Sequence, residues 1–115
     1  MFLGGDSGYD THFSKIGEEY GPFDLALLEC GQYSAYWPHI HMFPEETVQA
    51  AIDLKAEVLM PVHWAKFSLA MHPWNEPINR VVKAAAEKNL KIATPQLGQT
   101  LILNSEMPVS KWWID

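Results

Sequence analysis

Side chains able to coordinate a cation stand directly behind two short apolar runs, and a third such run ends in an acid. Asp6 follows Phe2-Leu3 within Gly4-Gly5-Asp6-Ser7-Gly8-Tyr9, Glu29 closes Leu25-Ala26-Leu27-Leu28 ahead of Cys30-Gly31, and His63 ends Val58 to Val62 and precedes Trp64. If the runs are strands of one open sheet, a carboxylate and an imidazole from separate strands point into one space at its carboxyl edge, where loops are free of interior packing. Aspartate with histidine suits zinc or another borderline divalent ion. The glycines around Asp6 allow close backbone approach, and an imidazole can give its second N–H to an outer acceptor. Asp6 and His63 alone fall short of the three protein ligands that a catalytic zinc usually keeps. On these residues alone, a turn at Gly-Asp-Ser-Gly and a hydrogen-bonded strand-end histidine remain the plainer reading.

The other chemically capable residues are less pointed. His39 and His41, at i and i+2 in an extended segment, would put both rings on one side, as a His-x-His chelate does, or they belong to a solvated loop. Trp37, Pro38 and Phe43 around them read as a lid or pocket wall. His12 and His72 have no partner at ligand spacing and read as surface or capping residues. Cys30 lacks a Cys/His/Asn context and reads as a small buried hydrophobe; Ser7 and Ser34 lack the Gly-x-Ser-x-Gly elbow of a hydrolase serine. Trp112-Trp113 either anchors the end of the chain or is exposed where a partner packs.

The elements that must position these groups follow from periodicity. Phe13, Ile16, Gly17 and Tyr20 fall on one helical face, behind a cap at Asp10 or Thr11 and ahead of Gly21-Pro22. Pro44 opens a second helix with Glu45 and Glu46 in its first turn and Val48, Ala51, Ile52 and Lys55 on one face. Asn75 caps a third, in which Ile78, Val81, Val82 and Ala85 repeat until Asn89. Apolar runs at Phe2 to Gly5, Phe23 to Leu28, Val58 to Val62, Leu90 to Thr94 and Thr100 to Leu103 are predicted strands. Continuous apolar runs suit strands buried on both faces, so the alternation with helices predicts an α/β fold of βαβ units around a largely parallel sheet.

Composition narrows the function classes. A chain of 115 residues, 48% hydrophobic and 19% charged, is one globular domain, without repeats or low-complexity tracts. Its net charge of −6 offers no basic face for nucleic acid. No apolar run approaches the ~20 residues of a membrane span, and barrel strands of ~10 alternating residues are absent. Met1 to Gly5 lack a basic region and a cleavage pattern, so no signal peptide is expected there. With a single cysteine, these features lead to the expectation of a cytoplasmic protein.

Four segments, taken together and in order, resemble a known family. Gly5-Asp6-Ser7-Gly8-Tyr9, then Ile16-Gly17 to Gly21-Pro22-Phe23-Asp24-Leu25-Ala26, then His41 ahead of Pro44-Glu45-Glu46-Thr47-Val48, then His63-Trp64-Ala65-Lys66-Phe67 resemble the second half of the metallo-β-lactamase superfamily. The branch most resembled contains N-acylphosphatidylethanolamine-hydrolysing phospholipase D, bacterial ascorbate-6-phosphate lactonase and RomA-type proteins. The resemblance implies the C-terminal half of an αββα sandwich. In it Asp6 matches a metal-bridging aspartate, His63 the last metal-binding histidine, and His41 a histidine at the site mouth that contacts substrate.

The departures are equally informative. The family's His-x-His-x-Asp-His signature, which supplies most metal ligands, is absent, since His39-Ile40-His41 runs on into Met42-Phe43-Pro44. Ser7 stands where threonine is commoner, and Ala65-Lys66 replaces the usual Gly-Thr. The resemblance therefore implies part of a metal-dependent hydrolase of phosphodiesters, lactones or related esters. Its divalent ion would be zinc, and this chain is expected to bind it weakly and to be inactive alone. The expected partners are an N-terminal half or a second copy of the chain on the exposed inner face. The alternative is a non-catalytic binding module that uses the aromatic loop Tyr33 to Phe43.

Overall fold

A computed structural model describes residues 1–114. The elements run β1 (Phe2–Leu3), α1 (His12–Tyr20), β2 (Ala26–Glu29), α2 (Pro44–Asp53), β3 (Val58–Val62), α3 (Glu76–Glu87) and β4 (Lys91–Ile92). All strand pairs are parallel and the order is β1-β2-β3-β4, so each crossover carries a helix to the same side of the sheet. The α/β class follows from the sequence as expected.

Register divides the strand residues between two faces. Phe2, Ala26, Leu59 and Ile92 lie side by side and pack with Phe13, Val48, Leu54, Val81 and Ala85 of the helices into the main core. Leu25, Val58 and Ala93 with Leu27 and Met60 form the opposite face, which Leu101 and Met107 cover in part. Next to Leu27 on that face, Leu3 is exposed. The sheet thus has one face closed by helices and one only partly covered.

Three expectations shift. Thr100 to Leu103 is not a strand: Leu101 reaches down onto Leu25 and Val58 while Ile102 is exposed, and Asn104 turns the chain in the left-handed region. The segment crosses the sheet face instead of extending its edge. Lys55 lies beyond α2 in the left-handed turn into β3 and is exposed, because Leu54 already ends the helix. Asn75 occupies the N-cap position of α3 without a side-chain bond to the helix. Trp113 is buried and donates its indole N–H to Asn79 Oδ1 at 2.9 Å, and Trp112 stacks on Trp64, so the tryptophan pair anchors the end of the chain.

Candidate metal centre

The carboxyl ends of β1, β2 and β3 lie side by side, and three loops leave them. Gly4 N–H donates to Leu27 O at 2.9 Å and Cys30 N–H to Val62 O at 3.1 Å, so pairing holds to the last residue before each loop. Asp6 leaves β1 through Gly5, whose φ of 61° only glycine adopts without strain. His63 leaves β3 with φ 64°, a left-handed conformation that costs a non-glycine residue about 1–3 kcal/mol. Gly31 makes room for it, since a Cβ there would overlap the His63 carbonyl oxygen. His41 arrives from the segment before α2. Gly8 N–H bonds His39 O at 3.2 Å, tying this segment to the Asp6 loop, and buried Met42 fixes its far end.

These loops bring Asp6, His41 and His63 together, with one ligand atom from each lying within 4.8 Å of the others. The imidazoles of His41 and His63 are stacked, with centroids 5.1 Å apart and planes 20° from parallel. A tetrahedral zinc with bonds of about 2.0–2.2 Å would hold its donors roughly 3.4 Å apart, closer than the 4.8 Å within which these atoms lie. One carboxylate and two imidazoles are also the donor types that borderline divalent ions select, so the residues fit such an ion. Burial lowers the pKa of His41, and neighbouring His63 lowers it further against the opposing pull of Asp6. The ring is therefore held in its neutral form, the state that can act as a ligand or accept a hydrogen bond.

Behind the cluster lies Glu29, which the sequence placed at a strand end without a role. Its side chain is 1% exposed. Oε1 accepts Met42 N–H at 2.7 Å, and Oε2 stands 3.6 Å from His41 Nδ1. Burial pushes its pKa up to about 8. A readable signal was available, because an acid closing an otherwise apolar buried strand is costly unless something uses it.

The remaining histidines stay out of the cluster. His39 is exposed and contributes only its backbone carbonyl, so a His39/His41 chelate does not form. His12 is exposed with Nε2 3.3 Å from Ser7 Oγ, and His72 stacks on Tyr33 at 4.2 Å. Cys30 is wholly buried, in keeping with its reading as a small core residue.

A cavity of about 350 Å³ opens beside His63, lined by Gln32, Trp64, Lys66, Phe67 and Leu69. Gln32 shapes it: Nε2 donates to Phe67 O at 2.6 Å, while Oε1 accepts Leu69 N–H and Ala70 N–H at 2.9 and 3.0 Å. One buried side chain thus holds the loop that follows His63. A larger hollow of about 680 Å³ near Asp24, Glu57 and Lys91 lies at the amino ends of the strands, away from these groups.

Residues 1–64 match the family model described as a beta-lactamase superfamily domain. An uncharacterized protein of Mycobacterium tuberculosis is 44% identical over 97% of the chain, which spans 31% of that relative. The outer membrane protein RomA of Klebsiella pneumoniae is 54% identical over 55% of the chain and 48% of its own length. The mitochondrial N-acyl-phosphatidylethanolamine-hydrolyzing phospholipase D of Saccharomyces cerevisiae is 35% identical over 87% of the chain and 23% of its own. Among solved structures, Igni18, a metallo hydrolase of the archaeon Ignicoccus hospitalis, superposes with a TM-score of 0.65 at 26% identity, covering 87% of the chain and 40% of the neighbour. The chain thus spans about a third of the Mycobacterium relative, and with more than half of its residues matching the family model, it belongs to the metallo-β-lactamase superfamily.

Proposed function

We propose that this chain supplies the C-terminal half of the site of a metal-dependent hydrolase acting on a phosphodiester, a lactone or a related ester. The observation that carries the reading is the convergence of Asp6, His41 and His63 at the carboxyl ends of adjacent parallel strands. Asp6 and His63 are the residues to hold a divalent ion, for which zinc is the best match to the donor types. Such an ion supplies an activated water at neutral pH and polarises the oxygen under attack.

The chain's own residues do the rest. Neutral His41 faces the substrate, and its ring accepts or orients a polar hydrogen beside the reacting bond. Lys66 gives the adjoining cavity a positive charge for an anionic group, while Trp64, Phe67 and Leu69 supply an apolar wall. With only this donor set, affinity for the ion is low and the chain alone is inactive. The remaining ligands come from an N-terminal half, which would cover the sheet face where Leu3 is exposed and Leu27 and Met60 are half-buried. A second copy of the chain could occupy that face when the N-terminal half is absent. Work in the cytoplasm fits the single free thiol of Cys30.

Asp6→Ala and His63→Ala, made in the longest form of the protein that the gene encodes, should both lower bound metal and turnover. Unchanged metal content and turnover in both would overturn the reading. A second reading, a non-catalytic binding module, is favoured by the loop between β2 and α2, where Tyr36 is 92% exposed and Ile40 57%. The gene separates the two: a reading frame continuing upstream in phase and encoding His-x-His-x-Asp-His supports the hydrolase, and a start codon at Met1 supports the module.

A further inference from the structure

Two buried polar atoms at this site, Glu29 Oε2 and His41 Nδ1, have no hydrogen-bond partner and face one another across 3.6 Å. Each would cost about 1–3 kcal/mol if left unmet, and a closure of a few tenths of an ångström would satisfy both. The stacking of His41 on His63 fixes the plane of the His41 ring but not which edge points inward, because a half-turn about Cβ–Cγ leaves the stack intact. Something at the ring edge must decide.

We propose that Glu29 is a positioning residue for this site: in its ionised form the carboxylate receives Nδ1–H of His41, so that the Nε2 lone pair is turned outward, toward Asp6 and His63. The carboxyl group is well placed for this task. Oε1 is engaged by Met42 N–H, on the residue next to His41, and the Glu29 carbonyl accepts the Thr47 hydroxyl at 2.8 Å, so backbone and side chain are both held. Glu29 also closes β2, the strand between the two that deliver Asp6 and His63. Outer acceptors of this kind set the tautomer and orientation of histidines at metal centres.

The inference rests on the reading of Asp6, His41 and His63 as one site, but its test needs no metal. Long-range proton–nitrogen NMR of the metal-free 115-residue chain, recorded at about pH 9, reports the tautomer of each histidine, and His41→Gln identifies the His41 signals. In the unsubstituted chain His41 should show a single tautomer with its proton on Nδ1. In Glu29→Gln the amide oxygen must still accept Met42 N–H, which turns the amide NH2 toward Nδ1 and moves the His41 proton to Nε2. A His41 proton on Nε2, or an exchanging mixture, in the unsubstituted chain would overturn the proposal. So would an unchanged tautomer in a folded Glu29→Gln variant. A purely structural role would leave the tautomer untouched. In the complete protein, Glu29→Gln should also lower turnover roughly 10–100-fold. Loss of metal binding in Asp6→Ala or His63→Ala bears on the site itself, whereas the metal-free spectrum bears on Glu29 alone.

Discussion

Replacing Gly31 with alanine should displace His63 and with it the cluster. The added methyl would overlap the His63 carbonyl oxygen and lie 3.1 Å from its carbonyl carbon and 3.4 Å from Trp64 Cα. Restoring a carbon–oxygen contact of about 3.3 Å requires a backbone shift of roughly 1 Å. Neither side yields freely, because Cys30 N–H is bonded to Val62 O at 3.1 Å on the same pair of strands and Gly31 itself is buried. Overpacking of this kind costs about 1–3 kcal/mol, and a clash of backbone against backbone belongs at the upper end.

With a urea slope of about 1–3 kcal/mol per molar, the unfolding midpoint should fall by roughly 1–2 M, and the melting temperature by about 8–12 °C. Urea titration followed by tryptophan fluorescence reads this, since Trp64 and Trp113 sit at the affected loop. Gly5→Ala is the control. Gly5 has positive φ but open space around it, so alanine there costs only the backbone strain, about 1 kcal/mol. A Gly31→Ala chain no less stable than Gly5→Ala would refute the view that close approach of β2 and β3 fixes the His63 turn.

Other outcomes follow from the same structure. Glu29 titrates near 8 when folded, against about 4.3 when unfolded, so between those values the folded chain binds more protons than the unfolded one. Its contribution is full below about pH 4.3 and lost as pH rises through 8; Glu29→Gln should flatten that fall in chemical-denaturation curves recorded over this window. Burial depresses His41, so its contribution runs the other way, present above about pH 6.5 and lost as pH falls through the lowered value; His41→Gln should remove that acid-side decline. Trp113→Ala should cost about 3 kcal/mol in urea unfolding, because a buried indole leaves a cavity and Asn79 loses its donor. Tyr33→Phe should cost about 1 kcal/mol by the same assay, since the phenol donates to Glu76 Oε1 at 2.6 Å but the acceptor is partly solvated.

Much of this arrangement was legible in the residues. Apolar runs without alternation identified β2 and β3, and the rule that chemistry gathers at strand carboxyl ends singled out Asp6 and His63. Pro44 fixed the start of α2 because it takes φ without needing a donor. Thr100 to Leu103 misled because short apolar runs look alike whether they pair or lie across a sheet face, and only Leu101 turned out to need burial. His39 and His41 looked equivalent in sequence. The bond from Gly8 to His39 O and the burial of Met42 separate them, and both depend on contacts between loops far apart in the chain. Glu29 was visible as an acid at the end of an apolar strand, but its relation to His41 depends on the path of the loop from Gly31 to Met42.

Paramagnetic relaxation tests the central claim most directly, because it locates even a weakly bound ion. Cobalt(II) added in small amounts to the nitrogen-labelled chain should broaden amide signals around Asp6, Gly31, His41 and His63. The same addition should leave those near Asp24, Glu57 and Lys91, at the amino ends of the strands, sharp, and Asp6→Ala with His63→Ala should abolish the broadening. Broadening centred elsewhere, or unchanged in the double variant, would contradict the account.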